Sequence, residues 1–258
     1  MQVSGEKMVE LGYKTIGSGK KIIILLHELM GDHRNYEPII PYLDTINYTY
    51  IFVDHRGYGL SKDIKGTYSC EEASNDVKNL ITKLNLKDVY LISHSMSTMI
   101  AQKIALIDNR IKSLILITPV PACGIKIASL AKNQLLKEMK ENSGKIEEIV
   151  NDSSKRYNQT WRDKRIKLAY DASTVEARVG YMSMYLNTDF LDEVKNIKIP
   201  VKIIVGKYDF PIFSLKSVKR LFEPSYENLE TVECQESGHY PMIECPVFFA
   251  SKIEEFCK

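Results

Sequence analysis

Three residues of the sequence have the types and positions that nucleophilic catalysis requires. Ser95 follows the apolar run "VYLIS" and His94, and the helix-favouring "STMIAQKIAL" begins soon after it. Asp209 follows the apolar run "VKIIVG", and His239 stands in the glycine-containing loop "ESGHYPM". A serine hydroxyl is a weak nucleophile at neutral pH, so it needs a nearby base and a third group to orient that base. The three residues therefore predict nucleophilic catalysis by a serine–histidine–aspartate triad, with Asp189 or Asp192 as alternative acids.

The elements around these residues alternate between short β-rich runs and helix-length amphipathic segments. This pattern predicts a largely parallel sheet with helices on both faces. The predicted strands are Met8–Thr15, Lys21–His27, Tyr48–Asp54, Val89–Ser93, Ser113–Thr118, Val201–Gly206 and Leu229–Glu233. The predicted helices of the core are Tyr36–Leu43, Cys70–Leu84, Ser95–Ile107, Ser214–Phe222 and Pro246–Phe256. We expect the first two strands, joined through "IGSGK", to form an antiparallel hairpin.

The alternation is interrupted between Pro121 and Pro200. From Lys126 to Tyr170 the chain has charged amphipathic segments such as "SLAKNQLLKEMKEN" and no strand pattern, which predicts about four inserted helices that form a cap. This stretch has 11 Lys/Arg and 6 Asp/Glu, a net charge of +5, whereas the rest of the chain has −3. A solvated helical surface is the simpler explanation, and an entrance that attracts anions is the alternative.

The bulk composition is that of a soluble globular protein. Of 258 residues, 44% are hydrophobic and 26% charged, and the net charge of +2 does not favour nucleic-acid binding. Five scattered cysteines without a Cys-x-x-Cys spacing disfavour a disulfide framework or a zinc site. The longest apolar run, Ile22 to Leu26, is too short to span a membrane, and the start of the sequence has no apolar leader. We expect a cytoplasmic monomer or homodimer without a membrane span.

Four motifs resemble the α/β-hydrolase superfamily. "LLHELMG" looks like its oxyanion loop, "VDHRGYGLS" like its Asp-x-Arg-Gly-x-Gly-x-Ser turn and "GHYPMIECP" like its Gly-His-x-Pro-x-x-Glu-x-Pro segment, while "SHSMS" resembles the Gly-x-Ser-x-Gly nucleophile elbow. The resemblance implies an α/β-hydrolase fold with a mostly parallel sheet of about eight strands and a helical cap inserted after strand six. The core would comprise residues 1–120 and 200–258, and the cap residues 121–199.

The resemblance also implies a role for each matching residue. Ser95 would attack the substrate carbonyl, His239 would take the proton and later deliver it to the leaving group, and Asp209 would orient the imidazole. The backbone N–H groups of Leu29 and Met96 would form the oxyanion hole. No cofactor and no metal are implied.

The remaining histidines have simpler explanations. His27, His55 and His94 lie at strand ends or in the elbow, without the spacing of metal ligands, and are expected to be structural. His33 with Asp32 is expected to cap the first helical segment.

The sequence departs from the superfamily pattern at two places. Ser93 and Ser97 replace the glycines of the elbow, and this Ser-x-Ser pattern also resembles plant strigolactone and karrikin receptors, which keep a working triad. Glu28 stands where the oxyanion loop usually has glycine, as in the His-Glu-x-x-Gly loop of dienelactone hydrolases. Because a carboxylate there would oppose the oxyanion, we hypothesise that Glu28 pairs with Arg56, with Arg34 as the alternative.

These observations predict a serine hydrolase that cleaves an ester, lactone or thioester of a small to medium carbonyl substrate. The basic cap leaves an anionic or carrier-bound substrate open. The alternatives are C–C bond hydrolysis, a lyase or cyclase step, acyl transfer, or a ligand-binding receptor with residual turnover. Aromatic and charged residues that could contact substrate, or could simply pack the cap onto the core, are Glu28, Trp161, Tyr181, Tyr185 and Tyr240.

Overall fold

The computed structural model describes residues 9–141, 144–153 and 156–258, and its centre is a mixed β-sheet. The strands within these residues are β1 Tyr13–Gly17, β2 Lys21–Leu26, β3 Tyr48–Val53, β4 Val89–His94, β5 Ile111–Ile117, β6 Val201–Gly206 and β7 Leu229–Cys234. Their order in the sheet is β1-β3-β2-β4-β5-β6-β7. Strand β1 is antiparallel to β3, and the pairs from β3 to β7 are parallel.

The helices surround this sheet. They are α1 Cys70–Lys83, α2 Met96–Ile107, α3 Ser129–Glu141, α4 Lys145–Ser153, α5 Gln159–Ala172, α6 Val175–Asn187, α7 Leu215–Phe222, α8 Pro241–Glu244 and α9 Pro246–Phe256. Shorter 3₁₀ segments cover His33–Tyr42, Gly59–Ser61, Val194–Asn196 and Pro211–Phe213. The first of these includes the predicted helix Tyr36–Leu43 except its last residue, and two prolines inside it remove the N–H donors that an α-helix would need.

Each face of the sheet buries its own apolar core. On β2, Ile24 and Leu26 belong to the cluster that α1 and α2 cover, whereas Ile23 and Leu25 belong to the cluster on the opposite face with α9. This division follows from the strand period of two residues. A strand that is apolar on both faces is suited to the interior of a parallel sheet, as the sequence predicted.

The predicted hairpin of the first two strands is wrong. Strand β2 pairs in parallel with β3 on one side and β4 on the other, so both of its edges are occupied. Strand β1 instead pairs with the free edge of β3. The predicted strand Met8–Thr15 begins outside the described residues, and β1 extends two residues beyond its predicted end.

The predicted fold class is confirmed, with two differences in detail. Seven strands are described where about eight were expected, and helices α3 to α6 follow the fifth strand rather than the sixth. Ala169 and Ala172 of α5 and Tyr181 of α6 are fully buried in the same apolar cluster as β2 and β4. The inserted helices therefore pack directly on the core. No helix among the described residues is long and apolar enough to cross a membrane.

Candidate active site

The ends of four parallel strands bring the candidate residues to one edge of the sheet. Strand β2 leads into His27, β4 into Ser95, β6 into the loop with Asp209 and β7 into the loop with His239. Because the carboxyl ends of parallel strands lie along the same edge, residues far apart in the sequence converge there. This edge is the usual place for ligands in open α/β sheets.

Ser95 occupies a strained turn between β4 and α2. Its backbone has φ of 51° and ψ of −116°. Residues other than glycine seldom adopt such a positive φ. The turn is held by a hydrogen bond from Ser95 N to the carbonyl of Ile117, at 2.9 Å. His94 and Met96 on either side are fully buried, while Ser95 is partly exposed. The strained conformation thus presents the Ser95 hydroxyl at the start of a helix, as a nucleophile elbow requires.

His239 is oriented by Asp209. Its Nδ1 lies 2.9 Å from each carboxylate oxygen of Asp209, and the Asp209 side chain is fully buried. Since an aspartate accepts hydrogen bonds, Nδ1 carries the proton and Nε2 is left as the basic atom. Asp189 and Asp192, the alternative acids, pair with lysines and their side chains are half exposed or more.

The two loops that carry this pair lie against each other. Strands β6 and β7 are neighbours in the sheet, and Tyr208 N donates to the Ser237 carbonyl at 3.0 Å. A Cβ at Gly206 would overlap the Gly238 carbonyl oxygen, so glycine at this position permits the close approach. The approach of the two loops sets the distance between Asp209 and His239.

The electrostatic environment raises the pKa of His239. Burial is the largest single influence and lowers the pKa, but the carboxylate of Asp209, followed by those of Glu28 and Glu244, more than compensates. The net effect is a pKa above the ordinary histidine value, which means that the site favours the protonated imidazolium more than water does.

Two backbone N–H groups are available near Ser95. Met96 is the first residue of α2, where an N–H has no acceptor within the helix. Leu29 lies in the loop after β2, and its carbonyl accepts a hydrogen bond from the Tyr58 hydroxyl at 2.9 Å. Leu29 and Ser95 line the same cavity. The N–H groups of Leu29 and Met96 therefore stay the predicted main-chain donors of an oxyanion hole.

The serines that replace the elbow glycines differ in their bonding. The Ser97 hydroxyl donates to the His27 carbonyl and accepts from His55 Nε2, which lies 2.9 Å away. Burial keeps the pKa of His55 well below its ordinary value, so this imidazole is neutral. Ser93 is fully buried, and its hydroxyl has no hydrogen-bond partner among the described residues.

The hypothesised pair between Glu28 and Arg56 is wrong. Arg56 binds Asp76 of α1 at 2.5 Å, and Arg34, the alternative, binds Asp32 at 2.7 Å. Glu28 instead lies 3.4 Å from Arg165 of α5. Arg165 was not among the predicted partners, because the inserted helices have no motif that marks a contact with the core.

A cavity of about 270 Å³ adjoins the triad. Of the five predicted substrate-contacting residues, Glu28, Tyr185 and Tyr240 line it. Tyr181 does not, because it is fully buried between His55, Tyr58 and Tyr68. Trp161 also lies outside the lining and stacks on Tyr157, with ring centroids 4.9 Å apart. Most of the lining residues that sequence reasoning did not single out are apolar side chains from several elements, and three are polar or charged: Met30, Val120, Ile125, Leu135, Ile149, Phe210 and Phe213, with Lys145, Glu148 and Ser153.

The remaining histidines support the loops. His94 Nε2 donates to the His239 carbonyl at 2.7 Å, and His27 Nδ1 donates to the Glu28 carbonyl at 2.7 Å. Asp32, His33 and Asp54 form a buried group whose potential metal-ligand atoms lie within 4.8 Å of one another.

Existing hydrogen bonds account for that buried group. Asp32 caps the 3₁₀ segment and binds Arg34, and His33 Nδ1 lies 2.6 Å from Asp54. The expected capping role of Asp32 is confirmed. The Asp32 carboxylate therefore forms its bonds within the loop that follows β2, and the Asp54 carboxylate links this loop to the one that follows β3.

Comparison with known proteins agrees with the fold. Residues 21–246 match the model of the alpha/beta hydrolase fold family. The chain belongs to this family, and it is an alpha/beta hydrolase enzyme. It is 26% identical over 247 residues to a pimeloyl-(acyl-carrier protein) methyl ester esterase of Legionella pneumophila (strain Paris), covering 92% of this chain and 95% of the relative.

Two further relatives differ in their named activities. Non-heme chloroperoxidase CPO-A1 of Kitasatospora aureofaciens is 24% identical over 216 residues, which cover 78% of each chain. A solved structure of an esterase from Exiguobacterium antarcticum superposes with a TM-score of 0.85 at 22% identity, over 96% of this chain and 95% of that one. The structural likeness shows the fold, and the residues of the site must supply the argument for the reaction.

Proposed function

We propose that this protein is a serine hydrolase that cleaves an ester, lactone or thioester of a small to medium substrate through an acyl-enzyme on Ser95. The observation that carries the proposal is the placement of a strained serine and an aspartate-held histidine on the same mostly apolar cavity. A serine at positive φ costs folding energy, and such strain is usually retained at functional sites.

In the proposed reaction the Ser95 hydroxyl attacks the substrate carbonyl while His239 Nε2 takes its proton. Asp209 keeps Nδ1 protonated and stabilises the imidazolium. The N–H groups of Leu29 and Met96 would bind the oxygen that becomes negative. His239 then delivers the proton to the leaving group, and water attacks the acyl-enzyme with His239 again as the base. No step needs a cofactor.

The cavity favours an apolar acyl or alkyl group. Its volume is at the small end of ligand pockets, and most of its lining is apolar. The cavity-lining Lys145 binds Glu138 at 3.0 Å and Glu148 at 2.5 Å, so this cation is already neutralised. The basic excess of the inserted segment therefore gives little support to a substrate with a negative charge inside the cavity.

The inserted helices are proposed to act as a cap that shapes this cavity. Leu135 of α3, Ile149 of α4 and both Met182 and Tyr185 of α6 line it. Substrate size would then be set by residues of the predicted cap, 121–199, rather than by the sheet. A carrier-bound substrate, as the name of the Legionella relative specifies, would have to place its acyl chain between these helices and the sheet edge.

Covalent labelling tests the proposal. A fluorophosphonate should label the intact protein but not Ser95→Ala, whereas Ser113→Ala, which removes a buried serine of β5 outside the cavity, should label normally. Hydrolysis of p-nitrophenyl esters from acetyl to octanoyl then gives the chain-length preference, and products formed in ¹⁸O-labelled water distinguish hydrolysis from transfer. An intact protein that resists the label would contradict the proposal and favour a ligand-binding role.

A further inference from the structure

A buried ion cluster connects helix α5 to the loop that carries Leu29. Glu28 is 2% exposed and Arg165 is 4% exposed, so both charges are removed from water. Arg165 Nη2 lies 3.4 Å from Glu28 Oε1 and 3.4 Å from the Met30 carbonyl, and its Nη1 donates to Asn35 Oδ1 at 2.6 Å. Further hydrogen bonds to both groups help to stabilise a buried pair. Here they come from Met30 and Asn35, while Arg165 Nε has no hydrogen-bond partner among the described residues.

The cluster encloses the Leu29 peptide. The Glu28 carboxylate accepts from Met30 N and, at 2.8 Å, from Asn35 Nδ2. Glu28 and Met30 flank Leu29, so these bonds fix the residues on both sides of the proposed oxyanion donor. A Cβ at Gly31 would overlap the Asn35 amide. The last glycine of "HELMG" is thus explained by the space that this cluster needs.

The Arg165 guanidinium also contacts the loop that carries His239. Arg165 lies over the ring of Tyr240, with its central carbon 4.1 Å from the ring centroid. Tyr240 directly follows His239 in the chain. One side chain of α5 therefore contacts both the loop that supplies the Leu29 N–H and the loop that supplies the base.

The charge of Glu28 would be harmful without this partner. Glu28 is one of the residues that line the cavity in which negative charge would develop on the substrate oxygen. An unpaired buried anion at that position would oppose the oxyanion, and the loss of one oxyanion donor alone typically costs about 10²–10³ in kcat. Arg165 neutralises the anion and leaves its hydrogen bonds to the loop intact.

We propose that Arg165 is a positioning residue, which couples the seating of α5 on the core to the assembly of the oxyanion hole. The inference rests on the proposed function. When α5 is in place, Glu28 is neutralised and the Leu29 peptide is fixed. If α5 moves away, the same carboxylate becomes an unpaired charge next to the reacting oxygen.

The experiment compares Arg165→Met, Arg165→Lys, Glu28→Gln/Arg165→Met and the wild type in ester hydrolysis and fluorophosphonate labelling. Arg162→Met is the control, because Arg162 lies on the same helix but binds the Tyr157 carbonyl and Gln159 instead. Arg165→Met should lower kcat by roughly 10²-fold, with a much smaller change in KM, since the defect lies in the transition state. Arg165→Lys should retain part of the rate, and the control should match the wild type.

The double variant distinguishes positioning from simple stability. In this variant an uncharged glutamine and methionine of similar volume replace the buried Glu28–Arg165 pair. No unpaired charge is then buried, so the double variant should fold even if Arg165→Met does not. We expect its kcat to lie between those of Arg165→Met and the wild type, because the unpaired charge is gone but the guanidinium contacts are still missing. A wild-type kcat in the double variant, or in a folded Arg165→Met, would overturn the inference. Failure of the wild type to label at Ser95 would instead overturn the proposed function.

Discussion

The serines that replace the elbow glycines should have opposite effects on stability when each is changed to alanine. Ser93 buries a hydroxyl that finds no partner among the described residues. Burying such a group costs about 1–3 kcal/mol in proteins. Ser93→Ala removes this cost and loses only one small atom from the core, so the free energy of unfolding should rise by about 1 kcal/mol.

Ser97→Ala removes two hydrogen bonds that are made inside the protein. The His27 carbonyl loses a donor, and the Nε2–H of His55 loses its acceptor in a fully buried position. A buried group left unsatisfied costs about 1–3 kcal/mol, and the better helix propensity of alanine offsets only a few tenths of this. We expect a loss of about 2 kcal/mol. The two variants should therefore differ by about 3 kcal/mol.

Chemical denaturation measures both changes if the m-value stays constant between variants. In thermal unfolding, a protein of this size shifts by about 2–4 °C for each kcal/mol, so the two Tm values should lie roughly 6–12 °C apart. Ser95→Ala is a useful reference, because it changes a partly exposed serine in the same elbow. Equal shifts of the same sign for Ser93→Ala and Ser97→Ala would refute the hydrogen-bond assignments at the elbow.

Three further predictions follow from the site. The kcat/KM should fall as the pH drops through the raised pKa of His239, because only the neutral imidazole can act as the base. Glu28→Gln should move this decline to lower pH, because Glu28 helps to raise that pKa. A pH profile that does not move would contradict the effect of Glu28 on the pKa of His239. Gly31→Ala should lower the free energy of unfolding by about 1–3 kcal/mol in urea titrations, because its Cβ would overlap the Asn35 amide. Tyr181→Phe should leave KM unchanged and raise the free energy of unfolding by up to about 1 kcal/mol, because the Tyr181 hydroxyl lies outside the cavity and is buried with no hydrogen-bond partner in the described part of the chain; a raised KM would show that this residue contacts substrate.

The triad candidates could be located from the sequence because the signals are local. Ser95, Asp209 and His239 each stand shortly after an apolar strand, and the ends of parallel strands lie along one edge. The spatial relation between them then follows from the fold rather than from any long-range pairing. The same reasoning placed Met96 at the start of a helix, where an N–H is free.

The partner of Glu28 could not be predicted, because it depends on where an inserted helix docks. Arg165 is 137 residues away from Glu28 in the chain, in a segment without a readable motif. Arg56 was close in sequence, but Asp76 and Glu72 of α1 lie within 2.5 and 3.3 Å of it. Which carboxylate pairs with Arg56 therefore depends on how α1 packs beside it and not on distance along the sequence.

Helical spacing gave a similar partial answer for Tyr181 and Tyr185. The two residues are four apart, so they share a face of α6, and the sequence made both candidates for contact with substrate or for packing of the cap. Only Tyr185 reaches the cavity, since Tyr181 is one turn earlier and packs against Tyr58 and Tyr68. Periodicity identifies the face that is buried but not the point at which the cavity ends.

Two of the departures from the superfamily pattern, Ser97 and Glu28, act on the same loop. The Ser97 hydroxyl holds the His27 carbonyl at the start of "HELMG", and the Glu28 carboxylate holds Met30 N further along it. A glycine at position 97 would remove the first hydrogen bond, and a glycine at position 28 would remove the second. Side chains at these two positions therefore fix a loop that glycines would leave to backbone contacts alone. On this reasoning Ser97→Gly should be more harmful in Glu28→Gly than in the wild type, which a double-mutant cycle on kcat and on the free energy of unfolding can measure.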